Sequence, residues 1–168
     1  QVTIVGPGLL GASLAMALRR GKVCERIVIW ARSAERIEEC MEKEWCDHAE
    51  ENLANAVSGS SVVVVCTSVA SISPLVSSIM PETNEGMIVT DVGSVKERIC
   101  VEARKIARES SGAFIGSHPM AGSEKSGMKH AKADLFDSKP CIITPQDDTP
   151  ETLTQGARAF WESLGMKV

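Results

Sequence analysis

Apolar residues along this chain follow two rhythms. Short, nearly unbroken runs read as strands: "VTIVG" (2–6), "ERIVIWAR" (25–32), "SSVVVVCT" (60–67), "GMIVTDV" (86–92), "GAFIG" (112–116) and "KPCIITP" (139–145). Between them lie stretches with helical composition or spacing. "LLGASLAMALRRG" (9–21) is rich in Ala, Leu and Met, and Gly21 is expected to stop it. "AERIEECMEKEW" (34–45) has Ser33 in position to cap it. A short helix is expected over 71–80, and a longer one over 94–110 with Val95, Ile99, Ala103 and Ile106 on one side. A last helix, 150–165, has Pro150 near its first turn and Gly165 past its end. "MKV" (166–168) begins a further strand. The run 60–67 is apolar nearly throughout, which suits a central parallel strand covered on both faces. Alternating strands and helices predict an α/β fold with a doubly wound, mainly parallel sheet. Residues 117–137 keep neither rhythm, and a loop of that length in a compact fold is often functional. Its start, "GSHPMAG" (116–122), reads as a turn that holds His118 in place.

Composition narrows the function classes. The 168 residues suit one domain, 43% hydrophobic and 24% charged, with a formal net charge of −4. Bulk charge therefore attracts neither a nucleic acid nor an anionic membrane. Tyr is absent, and Trp and Phe number three each, too few for base-stacking platforms. No apolar run is long enough to predict a membrane-spanning helix. The six cysteines are scattered without a CxxC pair, and Cys66 and Cys141 sit in apolar runs as small hydrophobes. A reduced, cytoplasmic protein is expected. The immediate first strand predicts no signal peptide, and Gln1 in place of a start Met predicts a trimmed N-terminus.

"GPGLLG" then changes the picture. Gly6, Gly8 and Gly11 have the G-x-G-x-x-G spacing, with a strand before them and a helix opening within them. That is the Rossmann-type dinucleotide signature: a tight turn at Gly6, close pyrophosphate approach at Gly8, and helix–sheet packing at Gly11. Leu9 and Leu10 begin the helix whose free N–H groups would face the phosphates. An NAD site usually has an acidic residue at the end of the second strand. Here Ala31 stands in that place, followed by Arg32, Ser33 and Arg36. Arginine grips phosphate through a planar fork, and no carboxylate repels a 2′-phosphate. NADP is therefore preferred, with NAD possible.

Ligands of open α/β sheets sit beyond the carboxyl ends of the strands. Thr67 and Ser68 follow the third run and are assigned to the cofactor. "DVGSVK" brings Asp91, Ser94 and Lys96, and "GSHPMAGSE" brings His118, Ser123 and Glu124. His118 could take a proton from a substrate hydroxyl, a task suited to an imidazole. Ser94 could hydrogen-bond that hydroxyl, and Lys96 could bind a phosphate or carboxylate. The three histidines lack metal-ligand spacing, and His48 and His130 sit in polar segments, so no metal is assigned.

Together "GPGLLGASLA", "DVGSVK" and "GSHPMAGSEKSGMKHAKADLF" closely resemble the prephenate and arogenate dehydrogenase family, over nearly the whole chain. The glycine loop is shared by many dehydrogenases; "HPMAGSEKSG" is much more specific. The resemblance implies a catalytic His118 assisted by Ser94, with Ser123 and Glu124 lining the substrate entrance. It implies oxidative decarboxylation of prephenate to 4-hydroxyphenylpyruvate, or of arogenate to tyrosine. It also implies a homodimer built through a helical second domain, which has no counterpart in these residues. The expectation is a domain, 1–168, that binds cofactor and turns over prephenate poorly or not at all by itself. Another Rossmann oxidoreductase of the 6-phosphogluconate or hydroxyacid type, and a non-catalytic nucleotide-sensing domain, are the competing readings.

Overall fold

The computed structural model describes all residues except Arg108 and Ser123. Seven strands form one sheet in the order β3-β2-β1-β4-β5-β6-β7. They are β1 (Val2–Val5), β2 (Ile27–Trp30), β3 (His48–Glu50), β4 (Val62–Val65), β5 (Ile88–Asp91), β6 (Ala113–Pro119) and β7 (Cys141–Thr144). All neighbours pair in parallel except β6 and β7. The helices are α1 (Leu9–Gly21), α2 (Ala34–Met41), α3 (Leu53–Val57), α4 (Val69–Ile79), α5 (Glu97–Ala107) and α6 (Glu151–Ser163).

Strand periodicity divides the core between two layers. Val2, Ile4 and Val64 face α1 and α6 with Leu14, Leu18 and Trp161. Val5, Val63 and Val65 face α4 and α5 with Ile72, Val76 and Ile99. The four valines of β4 thus serve both layers, as their unbroken run predicts. Each such side chain, fully buried, contributes about 1.5–3 kcal/mol, so this patterning and not helix propensity sets the architecture. The fold is a Rossmann-type, doubly wound α/β sheet. Strand order reverses between β1 and β4, and the crevice at that switch point is where such sheets bind ligands.

Several elements depart from the sequence reading. Gly21 is the last residue of α1, and Lys22 takes the left-handed cap at φ 50°. The second helix stops at Met41, and Trp45 packs into the core from the turn beyond it. β3 and α3 were not expected: only Ala49 of β3 is buried, and α3 spans five residues, too few to show a helical period. The β5–α5 loop keeps Ser94, Val95 and Lys96 outside the helix. Most important for the site, β6 does not end at Gly116. It leaves β5 after Ile115 and pairs antiparallel with β7, matching Ser117 with Ile143 and His118 with Ile142. His118 therefore stands on a strand, not in a turn. The loop beyond it is tied down where Lys132 N–H donates to Ser13 Oγ at 3.0 Å and Arg20 pairs with Asp137, with Met128 and Phe136 buried beneath. "MKV" is not a strand of the sheet: Lys167 makes one isolated parallel bridge with Pro140.

Candidate active site

The glycine loop turns from β1 into α1 at the switch point. Gly6 has φ +100°, where a side chain would be strained and would meet Thr67 Cγ2 at 2.7 Å. A Cβ on Gly11 would stand 2.1 Å from the Gly6 carbonyl oxygen, so only glycine lets α1 start this close to the sheet. At Gly8 a Cβ would meet nothing within 4 Å: the protein leaves that face open. Gly8 is also the N-cap of α1, without a side-chain cap and without an acidic residue in the first turn. The first N–H groups, those of Leu9 and Leu10 among them, thus lack side-chain partners and carry the positive end of the helix dipole.

A cleft of about 730 Å³ opens over this loop. Gly6 and Gly8 form one part, Arg32, Ser33 and Arg36 another, and Thr67 and Ser68 a third. Seven residues assigned to the cofactor from sequence thus share one cavity, while Leu9, Leu10 and Gly11 form the helix start beside it. Trp30, Pro74 and Gly127 also line it and were not anticipated. Gly127, at φ +88°, brings the long loop back to the cleft, a contact no local pattern announces. Ser33 caps α2 by accepting from Arg36 N–H at 3.4 Å. Thr67 Oγ1 is buried without a hydrogen-bond partner among the described residues. Such an atom costs free energy until something bonds it, and here it belongs to a residue lining the cleft. Open glycine face, uncapped helix and orphaned hydroxyl together fit a dinucleotide.

The reactive end lies at the tips of β5 and β6. Asp91, fully buried, ends β5. Its Oδ2 accepts from Gly93 N–H at 2.9 Å and from the Lys96 ammonium; its Oδ1 accepts from Ser117 N–H at 3.1 Å. Lys96 also donates to the Ser117 carbonyl at 2.9 Å, so two of its three N–H bonds are committed inside the protein. Lys96, expected to meet a substrate anion, thus also ties the β5–α5 loop to β6. Ser117 is engaged on its side chain too: its Oγ accepts from Trp161 Nε1 at 2.9 Å and lies 2.7 Å from Thr90 Oγ1. Asp91, Lys96, Thr90 and Trp161 thus clamp the residue before His118. His118 itself is half-buried, and Ser94 is exposed at the neighbouring strand end. Glu124 is exposed on the loop beyond Gly122, and Ser123 lies outside the described residues. The acid at the tip of an apolar strand, five residues before a lysine, was the available signal for the clamp; Trp161 gave none.

Burial holds several of the thiols in the protonated form. All six cysteines are free. Burial pushes Cys40 and Cys141 up to about 12, and Cys46 to about 11, so they are protonated at neutral pH.

Fold and cleft define a dinucleotide-binding domain with a histidine near the tip of β6 and a serine beyond the end of β5. Residues 14–168 match the family described as prephenate dehydrogenase, nucleotide-binding domain, and the chain belongs to that family. The prephenate dehydrogenase of Lactococcus lactis is 26% identical over 168 residues, 99% of this chain and 47% of that protein. The crystal structure of Aquifex aeolicus prephenate dehydrogenase with hydroxyphenyl propionate and NAD+ superposes with a TM-score of 0.90 at 28% identity, covering 99% of this chain and 58% of that one. Synechocystis arogenate dehydrogenase gives 0.89 at 32% identity, covering 99% and 57%. The chain spans about half the length of these relatives.

Proposed function

We propose that the chain is the cofactor-binding part of an NADP-preferring dehydrogenase that converts prephenate to 4-hydroxyphenylpyruvate. The observation that carries the cofactor reading is the open Gly8 face under an uncapped helix, with Ala31 and Arg32 at the end of β2. The 2′-phosphate would lie against Arg32, Ser33 and Arg36, the pyrophosphate over Gly8, and Thr67 Oγ1 would gain its missing partner. The bound nicotinamide supplies the hydride acceptor. His118 accepts the proton of the ring hydroxyl as the hydride leaves the same carbon, and Ser94 hydrogen-bonds that oxygen. Loss of CO2 then leaves an aromatic ring, so the protein has chiefly to align the groups and supply one base. Glu124 and Ser123 would line the substrate entrance. The same reading includes a cytoplasmic homodimer as the complete enzyme and slow turnover by this chain alone.

Arogenate is the second substrate reading, favoured by the Ala31–Arg32 pair and by the likeness to the Synechocystis enzyme. Calorimetric titration with NADP+ and NAD+ at one salt concentration tests the cofactor choice. Tighter NADP+ binding is expected; tighter NAD+ binding would leave Arg32 as a solvated charge. Replacing His118 with Asn is expected to cut whatever turnover is measured with prephenate or arogenate by about 10²–10⁴ and to leave cofactor affinity within about twofold. Equal loss of both would remove His118 from the role of base.

A further inference from the structure

Arg36 is not idle in the cleft. It stands one turn into α2, above the Ser33 cap, and lines the cavity together with Arg32. Its guanidinium Nη1 is bonded to Glu39 Oε2, three residues further on. Glu39 itself is outside the cavity lining.

Side chains on a helix lean toward its N-terminus, so the Glu39 carboxylate reaches back to the Arg36 guanidinium while Arg36 still lines the cleft. A phosphate that recruits Arg36 must first separate it from Glu39. The Glu39 carboxylate is also a like charge beside an incoming phosphate. A ribose hydroxyl in the same place brings no such competition.

We propose that Glu39 is a specificity-determining residue: it competes with the phosphate for the Arg36 guanidinium and so limits discrimination for the 2′-phosphorylated dinucleotide. The inference rests on the NADP reading above. Both side chains are about two-fifths exposed, so the expected effect is modest. An exposed pair of this kind corresponds to about two- to fivefold in affinity.

The test is calorimetry on this chain with NADP+ and NAD+, at equal salt, for the parent, Glu39→Gln, Arg36→Gln, Arg32→Gln and the Glu39→Gln/Arg36→Gln double variant. The substitutions in α2 are on its surface and leave its core contacts in place. Glu39→Gln is expected to tighten NADP+ about two- to fivefold, to leave NAD+ unchanged, and to have no effect once Arg36 is Gln. If Arg36→Gln weakens NADP+ while Glu39→Gln does nothing or weakens it too, Glu39 steadies Arg36 instead, and the inference is overturned alone. If Arg36→Gln and Arg32→Gln both leave NADP+ affinity unchanged, the phosphate reading has failed and takes the inference with it.

Discussion

Gly8 and Gly11 are three residues apart and have opposite sensitivities. Gly8 has φ −76° and ψ −162°, a backbone any residue adopts, and open space where a Cβ would go. Gly8→Ala is expected to fold with stability within about 0.5 kcal/mol of the parent. Its cofactor affinity should fall at least tenfold, because the methyl occupies the phosphate approach. Gly11→Ala instead drives a methyl into the Gly6 carbonyl and should cost about 3 kcal/mol or more in urea denaturation. Equal stability losses in the two variants would contradict the assignment of Gly8 to ligand and Gly11 to packing. Lys22 offers the reverse case. A lysine at φ 50° bears a steric cost that glycine does not, so Lys22→Gly should stabilise the chain by about 0.5–1 kcal/mol in the same experiment. The sequence places a glycine beside this cap, which is why the stop of α1 was read one residue early.

At the scale of elements, the decisive interaction is the buried pair between the β5 tip and the loop before α5. Asp91 is fully buried, and the Lys96 side chain is 14% exposed. Removing one partner leaves the other charge uncompensated, and Lys96→Met should cost about 3 kcal/mol in denaturant midpoint experiments. Asp91→Asn combined with Lys96→Met should recover part of that loss; no recovery would mean the two do not act as a pair. Asp47 makes a smaller, pH-dependent contribution. Burial alone would raise its carboxyl, but the Ile27 N–H at 2.7 Å and the Arg19 guanidinium at 2.7 Å outweigh that and hold it below its ordinary 3.8. Its share of stability is therefore full above the unfolded value and lost as pH falls through the lower, folded one. Asp47→Asn should flatten the acid side of the stability profile. These interactions also explain what was legible. Strands with apolar runs and the glycine turn are local properties, and their residues fell into one cleft. His118 looked like a turn residue because Pro119 breaks the local pattern, whereas its strand is made by pairing with β7 more than twenty residues away. Lys96 looked free because nothing local says that Asp91 is buried.

For the whole molecule, cofactor binding should appear as added stability. At a ligand concentration about 100 times the dissociation constant, the gain is about 2.7 kcal/mol, read as a rise in thermal midpoint. At equal concentrations of the two dinucleotides the rise should be larger with NADP+ than with NAD+. Trp30 lines the cleft, and its indole donates to Glu51 O at 2.7 Å, so its fluorescence should change with either dinucleotide. A chain that is neither stabilised nor changed in fluorescence by NADP+ or NAD+ would count against the cleft as their site.

The change of partner by β6 also bears on the order in which the molecule can assemble. Most of the cleft wall, from Gly6 to Leu75, comes from the first half of the chain, and of its lining residues Gly127 alone comes from the second half. The strand carrying His118 is different: past Ile115 it is held by Cys141–Thr144 and by Trp161 of the last helix. Such distant pairings form late, because the intervening chain must first be closed into a loop. During synthesis from the N-terminus most of the nucleotide-cleft wall emerges while the histidine end of β6 still lacks β7, and that end is fully held only when the final helix docks.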